Sequence, residues 1–367
     1  MTAVTTIRRV RILIVSPSLG LGGAERLAVT YAESLQQRGS DVTLAYGHWP
    51  GGWFETRVTP AVEVRKVTDL PLSRRSFPTW RRRLRALGLE LNPDVVFAHS
   101  VTAVAVAAVA LPRVPRVVLL HGIADESERL AAYVLRASRA RALAVSDQTA
   151  EGIRRYRGAP DIEVVLSGVD LAALEHAAGG ELELEPAAPR FLFVGRFWRE
   201  KATDVLIDAF AQVVQVLPEA GLVCAGNGPE LEARKLQVAT LGIDDRVYFV
   251  GPVPNVADYI RASDLFVLAS RREGLPLVLL ESLALGLPAV ATRVDGVPLV
   301  VRDGDTGWLV TPGDASALAE RMIEAASDPS ELRRRGEAGA RLIRENFSAE
   351  QAVERIDAVL RDAVAGR

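Results

Sequence analysis

The sequence predicts an α/β protein of two doubly wound, Rossmann-like domains facing each other across a cleft. Three observations carry that reading. Short apolar runs alternate with helical stretches along nearly the whole chain. The alternation stops in a small, acidic, proline-bearing stretch and then restarts. The strand-like runs are continuously apolar, as in parallel sheets covered on both faces.

Ile12-Leu13-Ile14-Val15 is the opening strand. It passes through Gly20-Leu21-Gly22-Gly23-Ala24-Glu25 into a helix with Leu27, Tyr31 and Leu35 on one face. Gly39 stands where a helix C-terminus is usually closed. Further strands are expected at 42–45, 95–98, 117–120 and 141–145, and His121-Gly122 ends the strand Val117 to Leu120. These elements make a first domain over residues 1–175, with residues 176–189 as linker. A second domain over 190–348 follows, with strands at 191–194, 222–225, 247–250, 264–270 and 289–292. Helices are expected from about Thr203 to Leu217, from about Glu230, and around Glu281. The last helix, from Ala349 to about Val364, has Ala352, Ile356, Val359 and Leu360 on one face, and residues 349–367 are expected to pack back onto the first domain.

Composition narrows the function. A chain of 367 residues, 49% hydrophobic and 25% charged, has room for two ordinary cores. The formal net charge of -2 gives no reason to expect nucleic acid as a partner. One cysteine, Cys224, rules out a disulfide framework and reads as a buried thiol. The histidines at 48, 99, 121 and 176 lack metal-ligand spacing. No signal peptide is visible, and the longest apolar stretch, Val101 to Leu111, is too short to cross a bilayer, so a cytoplasmic protein is expected. Arg74, Arg75, Arg81, Arg82, Arg83 and Arg85 cluster around Phe77 and Trp80. A solvated face is the plain reading. Contact with anionic lipid headgroups at the inner membrane face is the sharper one.

The most informative stretch is Glu273-Gly274-Leu275-Pro276-Leu277-Val278-Leu279-Leu280-Glu281, directly after an apolar strand. It sets one carboxylate at a strand's carboxyl end and a second on the following helix, at the mouth where open α/β sheets bind ligands. A glycosidase pair needs carboxyls roughly 5 to 9.5 Å apart. Eight residues of continuous helix would separate these by about 12 Å, which suits two ends of an extended ligand better. One acid would accept hydroxyls of a sugar, the other those of a ribose.

Gly195-Arg196-Phe197-Trp198-Arg199-Glu200-Lys201 follows the first strand of the second domain, and its cations fit phosphate oxygens. Gly226-Asn227-Gly228-Pro229 is a tight turn that backbone or ligand can approach closely. The first glycine loop suits a phosphate at a helix N-terminus. Glu25 stands where a dinucleotide fingerprint wants its third glycine, so a nicotinamide or flavin reading is poor. Asp303-Gly304-Asp305 resembles a metal-holding acidic triplet but sits among turn formers; a surface turn is expected, with no metal.

Taken in order, these pieces resemble the retaining GT-B glycosyltransferases, and their family 4 (glycosyl transferases group 1) in particular. The resemblance rests on the Glu273/Glu281 pair, Gly22-Gly23-Ala24-Glu25, Val194-Gly195-Arg196 with Glu200-Lys201, Gly226-Asn227-Gly228-Pro229, Val250-Gly251, and Ala262-Ser263-Asp264-Leu265-Phe266-Val267-Leu268 with Ser270. It implies a GT-B fold and transfer of a sugar from a nucleotide diphosphate sugar, UDP-sugars favoured by family frequency, without cofactor or metal and with retained configuration. Glu273 would hold the donor sugar, with Gly274 and Leu275 beside it, and Glu281 the ribose. Arg196 and Lys201, with Gly195, would grip the diphosphate, and the amides of Leu277 and Val278 would assist. Gly22 and Gly23 would close on the phosphates. His121 would touch the sugar near its reacting carbon. Asn227 and Gly228 would line the donor site, and Val253 and Pro254 would lie against the base. Acceptors in view are a glycan, a lipid-linked sugar or a small-molecule glycoside, shaped by loops between about His48 and Arg85.

Four positions depart from the pattern: Pro276 and Ala202 where glycine is usual, Ser167 where asparagine is usual, and Leu299 where glutamate is frequent. Rival readings are a nucleotide-sugar epimerase or hydrolase on the same fold, and a non-catalytic nucleotide-sugar-binding protein.

Overall fold

Every strand pairing in the protein's described residues is parallel. The computed structural model describes residues 9–20, 22–47, 58–122, 125–177, 189–253 and 255–366. The chain divides into two units, residues 1–166 with 349–367, and residues 167–348.

The first unit contains β1 (Arg11–Ser16), α1 (Gly23–Gln37), β2 (Asp41–Gly47), β3 (Glu63–Thr68), α2 (Phe77–Leu91), β4 (Val95–Ala98), α3 (Val101–Ala110), β5 (Arg116–Leu120), α4 (Asp125–Ser138), β6 (Arg141–Ala144), α5 (Asp147–Arg154) and β7 (Ile162–Val164). Its sheet runs β3-β2-β1-β4-β5-β6-β7. The order reverses between β1 and β4, so the loops after β1, β4 and β5 leave the same edge, where such sheets bind ligands.

The second unit contains α6 (Leu171–His176), β8 (Arg190–Val194), α7 (Thr203–Val216), β9 (Gly221–Ala225), α8 (Leu231–Leu241), β10 (Val247–Gly251), α9 (Val256–Arg261), β11 (Leu265–Leu268), α10 (Leu277–Ala284), β12 (Ala289–Thr292), β13 (Gly307–Val310), α11 (Ala315–Ser327) and α12 (Pro329–Asn346). The sheet order is β10-β9-β8-β11-β12-β13, reversing between β8 and β11. Phe191, Phe193, Phe197 and Phe210 fill the core beside β8, and Cys224 is buried there, its thiol pushed up by burial. The last helix, α13 (Ala349–Ala365), belongs to the first unit and packs on α1, β4 and β5 with Ile356 and Leu360 fully buried.

Some expectations need correction. Residues 167–175, expected with the first domain, fold with the second unit. The Arg261 guanidinium donates to the carbonyls of Leu174 and Ala177 at 2.9 and 3.1 Å, and Val169 N–H donates to Phe347 O at 2.8 Å. Most of the expected linker, residues 178–188, lies outside the described residues.

Three strands escaped the sequence reading: β3, β7 and β13. Each is an edge strand; β3 carries three charged side chains and β7 is three residues long, so neither reads as a buried run. The basic stretch is largely helix α2, and Trp80 is not available to lipid: it is fully buried, its Nε1 donating to Leu70 O at 3.1 Å. Among the described residues no helix is long and apolar enough to cross a membrane.

The docking of α13 makes a testable statement. Leu360→Ala removes a side chain with no solvent exposure and should destabilise the first unit by about 2–5 kcal/mol. Denaturant unfolding followed by hydrogen exchange should show protection lost in β1, β4 and β5 and kept in β8 and β11.

Candidate functional site

Two clusters form, one in each unit, both at the carboxyl ends of strands beside the reversal of sheet order.

In the second unit the loops after β8 and β11 emerge side by side. After β8 the chain makes a single helical turn over Arg199–Lys201, closed by Ala202 in the left-handed region at φ 47°. An alanine pays backbone strain there that a glycine avoids. Its methyl is fully buried in the core beside β8. Lys201 Nζ lies 2.5 Å from Glu273 Oε1, the lysine side chain 19% and the glutamate 8% exposed. Ser270 Oγ donates to the same oxygen at 2.6 Å. Among the described residues no hydrogen bond reaches the other oxygen, Oε2. Arg271 braces the cationic turn: its N–H donates to Glu200 O at 2.7 Å, and Nη1 donates to Arg199 O at 2.9 Å.

Arg196 is exposed, with its guanidinium 5.1 Å above the Trp198 ring. That contact holds the fork at the end of β8 and leaves its N–H groups in solvent. Asn227 ties the neighbouring turn to the same loop, its O accepting from Phe197 N–H at 3.0 Å and its Oδ1 from Gly228 N–H at 2.7 Å. A Cβ on Gly226 would sit 1.9 Å from Gly195 O, so only glycine lets these two loops touch.

Glu281 is 2% exposed, on α10. Pro276 precedes that helix at φ -68°, and Leu277 and Val278 are its first two residues, whose amides have no partner within the helix. Gly274 is half-buried; Leu275 and Val253 are buried. Pro254 lies outside the described residues. Asp303 is engaged in a turn: its Oδ1 accepts from Leu309 N–H at 3.1 Å, and Gly304 has φ +81°.

The first unit assembles a second cluster. Gly22 caps α1 and Gly23 begins it, and Ser18 Oγ donates to Glu25 Oε1 at 2.9 Å. His121 follows β5, and its Nε2 is 3.2 Å from Nδ1 of His99 at the end of β4. The rings stack with centroids 5.3 Å apart, and Phe97 meets His99 in a T-shaped contact. Burial drives both imidazoles toward the neutral form, His121 down to about 4 and His99 well below its usual range. Sequence reasoning singled out His121 but passed over His99; its place one residue past β4, as His121 stands one residue past β5, was the available signal.

Comparisons with known proteins give the family. The family description "Glycosyl transferases group 1" matches residues 180–343, and "Glycosyltransferase Family 4" matches residues 21–173. The chain is a group 1 glycosyltransferase of the GT-B fold. It is 35% identical over 173 residues to the N-acetyl-alpha-D-glucosaminyl L-malate synthase of Bacillus anthracis, covering 47% of this chain and 45% of that protein. It is 28% identical over 335 residues to the lipopolysaccharide core biosynthesis glycosyltransferase LpsE of Rhizobium meliloti, covering 90% and 93%. The match thus spans under half of the first relative's length and nearly all of the second's. Among solved structures, HepE of Anabaena in complex with UDP and glucose superposes with a TM-score of 0.82 at 21% identity, covering 96% of this chain and all of that one.

The histidine pair has a pH consequence. His121 binds its proton at about 4 when folded and near 6.5 when unfolded. Between those values the unfolded chain holds more protons, so the stabilisation is present above pH 6.5 and is lost as pH falls toward 4. His121→Gln should flatten part of that loss in denaturant unfolding across the window. A protonation step of His121 seen by NMR between pH 6 and 7 would contradict it.

Proposed function

We propose that this enzyme moves a hexose from a nucleotide diphosphate sugar, UDP-sugars favoured, to an acceptor hydroxyl, with retained anomeric configuration and without a metal. The single observation that carries the reading is Lys201 against Glu273 at the reversal of sheet order, 2.5 Å apart and mostly hidden from water. A cation suited to a diphosphate and an acid suited to sugar hydroxyls stand in contact, as a ligand containing both groups requires.

The roles follow. Lys201 and Arg196, with Gly195, take the diphosphate, helped by the Leu277 and Val278 amides. Glu273 takes the sugar hydroxyls with Gly274 and Leu275 alongside, and Glu281 takes the ribose. Asn227 and Gly228 are assigned to the donor and Val253 to the base; Pro254, assigned to the base as well, lies outside the described residues. Gly22 and Gly23 are assigned to the phosphates and His121 to the sugar. As a neutral imidazole, His121 can donate a hydrogen bond without adding positive charge beside a developing oxocarbenium ion.

In the reaction, the bond from the anomeric carbon to the diphosphate oxygen breaks, its electron pair going to that oxygen. The acceptor oxygen bonds to the same face of the same carbon, and its proton passes to the departing oxygen. The charge that grows on the leaving group is what Lys201 and Arg196 stabilise. HepE was crystallised with UDP and with UDP-glucose, which makes these the first probes to use. The relatives carry different acceptors in their names, L-malate and lipopolysaccharide core, so the acceptor is left as a glycan, lipid-linked sugar or small-molecule glycoside. A cytoplasmic site, with exposed Arg74, Arg75, Arg81, Arg82, Arg83 and Arg85 turned to an anionic membrane surface, is the matching location.

A thermal-shift series across nucleoside diphosphates and their sugars tests the reading. The matching donor at about a hundredfold its Kd should add roughly 2.7 kcal/mol, and a chain that none of them stabilises would refute it. Lys201→Ala should lower turnover by about two orders of magnitude with a smaller change in donor KM, since it acts on charge that develops late. Equal turnover in that variant would remove the clamp from the mechanism. Activity should persist in excess chelator, and its complete loss would reinstate a metal.

A further inference from the structure

We infer that Asp295 is a positioning residue for Glu273, pinning the backbone of the sugar-holding acid from the neighbouring loop. The role deepens the donor reading above and rests on it.

Asp295 Oδ2 accepts a hydrogen bond from Glu273 N–H at 2.6 Å, joining the loop after β12 to the loop after β11. An ionised carboxylate makes such a bond short and strong. Asp295 holds an unusual backbone, φ +40°, in the left-handed region. A glycine would adopt it without strain, so the chain accepts strain to have a side chain at this point. The next residue brings the two loops into direct backbone contact. Gly296 N–H donates to Gly274 O at 3.0 Å, and a Cβ on Gly296 would lie 2.2 Å from that oxygen. A third tie is Thr292 Oγ1, which donates to Ser270 O at 2.6 Å.

Glu273 is therefore held at both ends. Asp295 fixes its amide, while Ser270 and Lys201 fix its Oε1. The Arg272 guanidinium, 4.0 Å from Asp295 Oδ2, offsets the second negative charge beside the acid. A carboxylate that must meet particular hydroxyls loses much of its value when it is misplaced by an ångström.

Two substitutions in the full chain separate positioning from folding. Asp295→Gly removes the carboxylate and relieves the backbone; Asp295→Asn keeps an acceptor in place. Asp295→Gly should melt at or above the native temperature, yet lower hydrolytic turnover of UDP-glucose by about ten- to a hundredfold. UDP should bind it as before, and the extra affinity of UDP-glucose over UDP should vanish. Asp295→Asn should recover most of both. In the protein alone, exchange of the Glu273 amide should quicken in Asp295→Gly and stay slow in Asp295→Asn. Native turnover in Asp295→Gly, or an unchanged Glu273 amide, overturns the role. If the unaltered chain takes up neither UDP nor UDP-glucose, the donor reading falls, and the positioning role then stands or falls on the amide exchange.

Discussion

A lysine ammonium and a glutamate carboxylate in contact, both mostly withdrawn from water, form the interaction around which the second unit is arranged. Withdrawing two charges from water is costly, and a close ion pair recovers the cost only when further hydrogen bonds satisfy what remains. Ser270 supplies one such bond to the glutamate. Without a ligand the two charges neutralise each other and the site stays folded. A ligand carrying both phosphate and hydroxyl groups offers each a new partner at once, so neither is left bare. A ligand with one group alone would free one charge and strand the other.

The parallel sheet is what brings the pair together. In an all-parallel sheet every strand ends on the same edge, and the reversal between β8 and β11 leaves a gap there into which their loops fold. Lys201 and Glu273 are 72 residues apart, yet they come from adjacent strands. The surrounding loops are locked to one another by backbone contacts that admit no side chain, Gly226 on Gly195 being the tightest. Such rigidity preorganises the donors and acceptors, so a ligand does not have to order them. The first unit repeats the logic with neutral groups: the reversal between β1 and β4 gathers the glycine loop and two imidazoles, His99 buried and His121 half-buried, on one edge.

Much of this was legible in the residues. The central strands were readable because strands covered on both faces must be apolar throughout, as Phe191 to Val194 and Val95 to Ala98 are. Two edge strands were not, since Glu63 to Thr68 carries three charged side chains and Ile162 to Val164 is three residues long. Trp80 looked like an interfacial aromatic beside arginines because a local window cannot tell which face of α2 turns inward. Helical periodicity puts Trp80, Leu84 and Gly88 on the buried face and leaves the arginines outside. Asp295 gave no signal at all, because its importance lies in a bond to a residue 22 positions earlier and in a backbone angle that no side chain announces.

The sequence by itself determined the alternation of strands and helices, the restart that marks a second Rossmann-like fold, and the chemical types stationed at the strand ends. Those follow from local periodicity and from which side chains carry charge. Tertiary structure alone decided which of those charges meet, which acid is buried, which histidine has a neighbour, and which loop braces another. Contacts between distant segments depend on strand order and on loop backbone, and neither is written in any single stretch of residues.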